Sequence, residues 1–230
     1  MSDATFHHII RWNLEMYYTQ WRKLVVLHHQ IWAVGLGTLL VLGFLVWRGL
    51  PDGRPHVWHG FAMQPPQPAA DFTLTAHTGT QASLHDFRGK LVLLYFGYTF
   101  CPGICPTTLA NVAQVLQQLG ARAHQVQLLM VSVDPERDTP ARLAAYISHF
   151  HPSFIGLTGS VTDVAAIAPR FGIYFEKQET NADGNYWVDH SSTLMVIDPQ
   201  GILRLIIPFN TAVPDMTADL ASLLRESSSR

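Results

Sequence analysis

The sequence predicts an α/β protein, a mixed central sheet flanked by helices, behind an N-terminal transmembrane helix. Three features of the 230 residues carry that prediction: a long apolar run near the start, short apolar strands alternating with amphipathic helices from residue 69 on, and a closing pair of strands before a last helix.

The apolar run comes first. Between Lys23 and Arg48 lie 24 residues without Lys, Arg, Asp or Glu, long enough to span a bilayer. No Ala-x-Ala site follows it in Arg48-Gly49-Leu50-Pro51-Asp52, so it reads as an uncleaved single-pass anchor over residues 24–50, with Trp32 and Trp47 near its ends. Arg11, Arg22 and Lys23 before it outnumber Arg48 and Arg54 after it, which leans toward residues 1–23 being cytoplasmic. Pro51, Pro55, Pro65, Pro66 and Pro68 make residues 51–68 an extended tether, and residues 69–230 form the main domain.

Within that domain Phe72 to Leu84 is hairpin-like, and Leu91 to Phe96 is a fully apolar strand. Leu109, Val112, Ala113, Leu116 and Leu119 recur at helical spacing up to Gly120, and Val126 to Val133 is a second buried strand. Thr139-Pro140 opens a helix whose apolar face is Leu143, Ala144, Ile147 and Phe150. Phe154 to Leu157 is a short strand, Val161 to Ala168 helical, Phe171 to Phe175 extended, and 176–190 a polar loop or hairpin. Strands at Thr193 to Ile197 and Ile202 to Ile207 flank Asp198-Pro199-Gln200-Gly201, and a helix starts near Pro214. That order is a thioredoxin-like architecture.

Charge and cysteine usage narrow the function. Of 15 basic and 17 acidic residues, five and three fall in residues 1–68, leaving the main domain about four charges negative and arguing against nucleic-acid binding. Cys101 and Cys105 are the chain's two cysteines and share one motif, which points to chemistry rather than to a disulfide scaffold. The motif follows a buried strand and precedes a helix, where backbone amides and the helix dipole favour thiolates. Cysteines four apart can place both sulfurs on one soft cation or close a disulfide. Soft thiolates select Cu(I), and an imidazole as third ligand would admit Cu(II). His190, in Trp187-Val188-Asp189-His190-Ser191-Ser192 just before a predicted strand, is the best candidate for that ligand.

Gly97-Tyr98-Thr99-x-Cys101-Pro102-x-x-Cys105-Pro106, Val133-Asp134-Pro135-Glu136-Arg137-Asp138-Thr139 and Asp189-His190-Ser191 together resemble the SCO/SenC family of membrane-anchored copper proteins, over roughly residues 69–210. The resemblance implies one copper held by Cys101, Cys105 and His190. It also implies help in assembling the copper A centre of cytochrome c oxidase, with an upstream copper donor and a copper A-bearing subunit or other copper-site recipient as partners. An alternative is a thiol-disulfide oxidoreductase, Cys101 and Cys105 being the redox pair that reduces the recipient's cysteines. The expected place is an inner membrane, bacterial because no Arg/Ser-rich transit peptide is present, with the domain on the periplasmic side, or the intermembrane-space side if mitochondrial. The family commonly has an acidic residue where this chain has Gly103.

Other motifs read as structural. Asp134 and Asp138 make a turn, with Asp138 or Thr139 capping the next helix. His56-x-x-His59 with Met63 offers borderline and soft donors but reads as tether composition, and His7-His8 and His28-His29 take no metal role. Tyr95, Phe96, Tyr98 and Phe100 are core and site wall. A peroxidase site would need Thr or Ser three residues before the reactive cysteine, and Thr99 stands two before Cys101.

Overall fold

The structure, a computed structural model, describes Trp32 and residues 35–44, 56–182 and 184–228. The chain divides into two units, Met1–Pro55 and His56–Arg230. Of the expected anchor, Trp32 and residues 35–44 are described, and they are helical. The rest of it, residues 1–23 and residues 51–55 lie outside the described residues, as do His7, His8, His28 and His29. Among the described residues no helix is long and apolar enough to cross a membrane.

The second unit runs β1 (Phe61–Pro68), β2 (Thr73–Ala76), β3 (Gln81–Ser83), β4 (Leu91–Gly97), α1 (Ile104–Leu119), β5 (Val126–Ser132), α2 (Pro140–Ile147), β6 (Ile155–Thr158), α3 (Val161–Ile167), β7 (Phe175–Lys177), β8 (Val188–His190), β9 (Leu194–Ile197), β10 (Ile202–Ile207) and α4 (Val213–Ser228). Eight strands form one sheet in the order β1-β10-β9-β4-β5-β6-β2-β3, and β7 and β8 pair apart from it. β4, β5 and β6 are parallel and the other pairings antiparallel. Every residue of β4 and β5 is buried, the expected outcome for central strands whose two faces are both covered. α1 turns Leu109, Val112, Val115, Leu116 and Leu119 into that core, and α4 packs against it.

Two segments differ from expectation. Residues 61–68, assigned to the tether, are the edge strand β1, paired with β10. The ladder breaks between Ala62 and Gln67, where Pro65 and Pro66 sit, so prolines that cannot donate to a neighbour are confined to an edge and an irregularity. Phe171 to Phe175 is not an extended run. Residues Ala168–Phe171 make a 3-10 turn that Gly172 ends at φ +69°, and only Phe175 of that stretch enters a strand.

Parallel β4 and β5 end side by side, with the Val133 amide donating to the Gly97 carbonyl at 2.9 Å. The loops leaving these carboxyl ends are where α/β sheets gather functional side chains. Here they are the cysteine loop and the 133–139 loop.

Candidate metal centre

The cysteine loop is placed by close packing. A Cβ at Gly97 would lie 2.6 Å from Tyr95 Cε1 and 3.1 Å from Cys105 Sγ, so only glycine lets strand and helix meet there. α1 begins at Ile104 and carries Cys105 in its first turn. The backbone amide of Cys105 donates to Cys101 Sγ at 3.4 Å, so one sulfur takes up a donor that the helix start leaves unpaired. Neither cysteine is in a disulfide, and Cys105 is fully buried while Cys101 is partly exposed.

Their environments differ in sign. A hydrogen bond from the Cys105 thiol lowers the Cys101 pKa, helped by His190 and by the amides of Cys105 and Gly103 against the effect of burial. Cys105 is pushed up, first by donating a hydrogen bond to Cys101 and then by burial. The pair therefore holds one thiolate at the surface and one thiol inside, sharing a proton. The Tyr95 hydroxyl, itself raised by burial, donates to Cys105 Sγ at 3.3 Å.

His190 ends β8, and its Nε2 lies 3.4 Å from Cys105 Sγ. Nδ1 is 3.0 Å from the Ser191 carbonyl, which can only accept. Nδ1 therefore carries a proton, and a neutral ring turns the Nε2 lone pair to the sulfurs, the orientation a metal-ligating imidazole needs. Tyr95 and Tyr98 wall the ring edge-on, with centroids at 6.3 and 5.7 Å. The two sulfurs and the imidazole nitrogen lie within 4.8 Å of one another, so this chain brings together two soft donors and one borderline donor.

The 133–139 loop supports both halves of the centre, a role beyond the turn and cap expected of it. Asp138 does not cap α2. It is fully buried and accepts from the Thr99 amide at 3.0 Å, the Thr99 hydroxyl at 2.6 Å and the Ser132 hydroxyl at 2.7 Å, tying down the cysteine loop. Burial pushes its carboxyl up, against those hydrogen bonds. Thr139 is the cap, accepting from the Arg142 amide at 3.2 Å. The carboxylate of Asp134 accepts from Arg137 and, at 2.7 Å, from the Tyr186 hydroxyl. Arg137 also donates to the Tyr186 carbonyl at 3.1 Å and stacks between the rings of Tyr186 and Phe100 at 3.6 and 4.3 Å. It thus joins the cysteine loop to the hairpin that carries His190.

Of the aromatic wall, Tyr95, Phe96 and Tyr98 are buried and Phe100 is exposed beneath Arg137 and Arg142. Thr99 turns its hydroxyl to Asp138, so it is committed away from the sulfurs. His56 and His59 are not part of this centre; they meet Asp219 of α4. The roles of Asp138, Arg137 and Tyr186 were not read from sequence. The spacing that carries Asp138 next to Thr139-Pro140 looks like a cap, and nothing local marks Tyr186.

A family model described as SCO1/SenC matches residues 62–225. The mitochondrial SCO2 homolog of Bos taurus is 43% identical over 134 residues, covering 57% of this chain and 50% of that protein. The chain thus spans about half the length of the curated relative it matches. Among solved structures, Arabidopsis thaliana ScoI with copper bound superposes with a TM-score of 0.65 at 32% identity, covering 69% of this chain and 98% of that one. Apo Sco1 from Thermus thermophilus gives 0.68 at 38%, covering 74% and 99%.

Proposed function

The chain belongs to the SCO1/SenC family, and from that premise we propose that it is a membrane-anchored copper chaperone that helps assemble the copper A centre of cytochrome c oxidase. The observation that carries the proposal is the convergence of Cys101 Sγ, Cys105 Sγ and His190 Nε2 within 4.8 Å. Copper is the cargo. Two sulfurs suit Cu(I), and the Nε2 lone pair extends the set to Cu(II), matching a carrier that must accept one copper and release it. Cys101, a partly exposed thiolate, is the ligand that a recipient's side chain can reach first, while Cys105 and Tyr95 hold the inner side dry.

The anchor, over residues 24–50, follows from the charge-free run. The described residues 35–44 support it: Leu36, Leu39, Leu40, Val41, Leu42 and Phe44 are all exposed, and a helix surface that is apolar but for Thr38 suits lipid. Residues 1–23 are then cytoplasmic, and the domain lies on the outer face of the inner membrane, facing an upstream copper donor and the copper A-bearing subunit.

The difference between the two thiols favours a second reading. As a reductase, the Cys101 thiolate attacks a recipient disulfide, forming a mixed disulfide and releasing one recipient thiolate. Cys105 then attacks Cys101, freeing the second thiol and leaving a Cys101–Cys105 disulfide that a dithiol donor must reduce. Copper stoichiometry of the reduced protein separates the readings. The chaperone reading expects about one copper per chain, lost in the Cys101→Ser, Cys105→Ser double variant and weakened for Cu(II) in His190→Ala. No bound copper, with reversible disulfide formation intact, would leave the reductase.

A further inference from the structure

Beside the β1–β10 edge of the sheet, outside the thiol centre, two imidazoles and a buried carboxylate converge. His56 Nε2 lies 2.7 Å and His59 Nδ1 3.1 Å from the same oxygen, Oδ1 of Asp219. The Asp219 side chain is fully buried, while those of His56 and His59 are 22% and 39% exposed. Its second oxygen accepts from the Gly60 amide at 2.9 Å and the His59 amide at 3.1 Å. A Cβ at Gly60 would meet the Ile206 carbonyl at 3.1 Å, so glycine permits the chain to lie this close. His59 Nε2, the nitrogen facing away, lies 3.5 Å from Asp215 Oδ1.

We propose that His56 Nε2, His59 Nδ1 and Asp219 Oδ1 form a second metal site, one for a divalent transition-metal ion such as zinc(II), in which Asp215 orients His59. Here both rings point at a single oxygen, with all three donors within 4.8 Å of one another, a spacing an ion with bonds of about 2 Å can close. The surroundings are those of a ligand set. Asp219 is steadied by two backbone amides, and His59 has a carboxylate behind its far nitrogen, the arrangement that fixes which nitrogen carries the proton and raises ligand basicity.

The donor chemistry selects the ion. Two imidazoles and a carboxylate with no sulfur disfavour Cu(I), and two nitrogens disfavour calcium or magnesium, leaving zinc(II) and its neighbours. Three protein ligands with exposed imidazoles leave a position open to solvent. The site joins residues 163 apart in sequence, so the ion would staple the segment entering the domain to α4.

The test titrates the full chain, purified in detergent, with zinc(II) against a competing chelator in the Cys101→Ser, Cys105→Ser background, which removes thiolate binding. His59→Gln and Asp215→Asn are added to that background, with circular dichroism verifying the fold of each. The parent is expected to bind one more zinc(II) than His59→Gln, and any binding by His7, His8, His28 or His29 cancels in that difference. Asp215→Asn is expected to keep the site with affinity lowered about 10–100-fold, as for loss of an outer partner. Cobalt(II) substituted there should give ligand-field bands without thiolate charge transfer. Equal zinc(II) uptake by the parent and His59→Gln would overturn the site; unchanged affinity in Asp215→Asn would overturn the orienting role.

Discussion

The donors of the thiol centre are held by unlike means. Cys101 and Cys105 hang from β4 and α1: a strand buried at every residue, paired on both sides to β5 and β9, and a sixteen-residue helix packed on it. His190 hangs from β8, three residues paired with β7 alone, outside the eight-stranded sheet. Its hairpin is tied in by side chains: Arg137 and Asp134 on Tyr186, and Lys177, paired with Glu136, over the Tyr186 ring at 4.1 Å. The sulfurs are thus placed by the core and the imidazole by a few polar and cation–π contacts, so the imidazole is the ligand free to yield.

That contrast can be broken from either side. The largest effect is expected from Asp138→Ala, which strips the acceptor from three donors beside the cysteine loop and should cost about 3 kcal/mol in denaturant unfolding. Gly97→Ala forces a methyl against Tyr95 and Cys105 and should cost about 2 kcal/mol by the same measurement. Both should loosen the thiol pair, slowing formation of a Cys101–Cys105 disulfide or weakening Cu(I) retention against a chelator.

Arg137→Met acts on the other half. It should weaken Cu(II) retention about tenfold, the fall expected when an orienting partner is lost, and leave Cu(I) retention within about twofold. Equal losses for both oxidation states would show that the halves are not separately held. The thiols themselves give a pH test. Because the Cys101 pKa is lowered, its thiolate persists as pH falls below neutral; because Cys105 is raised, it stays a thiol above neutral. Iodoacetamide at about pH 6 should therefore label Cys101 alone, at a rate that does not fall about tenfold per pH unit as an ordinary thiol's does. Peptide mapping reads the result. The smallest effect is expected from Gly103→Asp, which places a carboxylate between the two cysteines. A Cβ there meets nothing within 4 Å, so stability should move by less than about 0.5 kcal/mol.

Legibility followed the range of the signal. β4, β5, α1 and α2 are readable because a buried strand, an amphipathic repeat and a Thr-Pro helix start are written in neighbouring residues. β1 is not, because its prolines resemble a tether and its strand state exists only through β10, far along the chain. Asp138 lies where a cap belongs, and its service to Thr99 depends on β4 and β5 ending together. Asp219 gave no signal at all, being one acid in an amphipathic helix whose buried face is visible only once residues 56–60 lie on it.

By itself the sequence determined the α/β class, the strand–helix junction that makes Cys101 and Cys105 a chelating or redox pair, and the family, through three motifs in order. Those depend on residues within a few positions of one another, where backbone sterics and the period of burial act. Only the tertiary structure decided that His190 meets a sulfur 85 residues away with its Nε2 lone pair forward, that Arg137 couples the two loops, and that His56 and His59 close on Asp219. Contacts between distant residues carry no local code. They exist because strand register and packing bring the loops and helices that carry these side chains together.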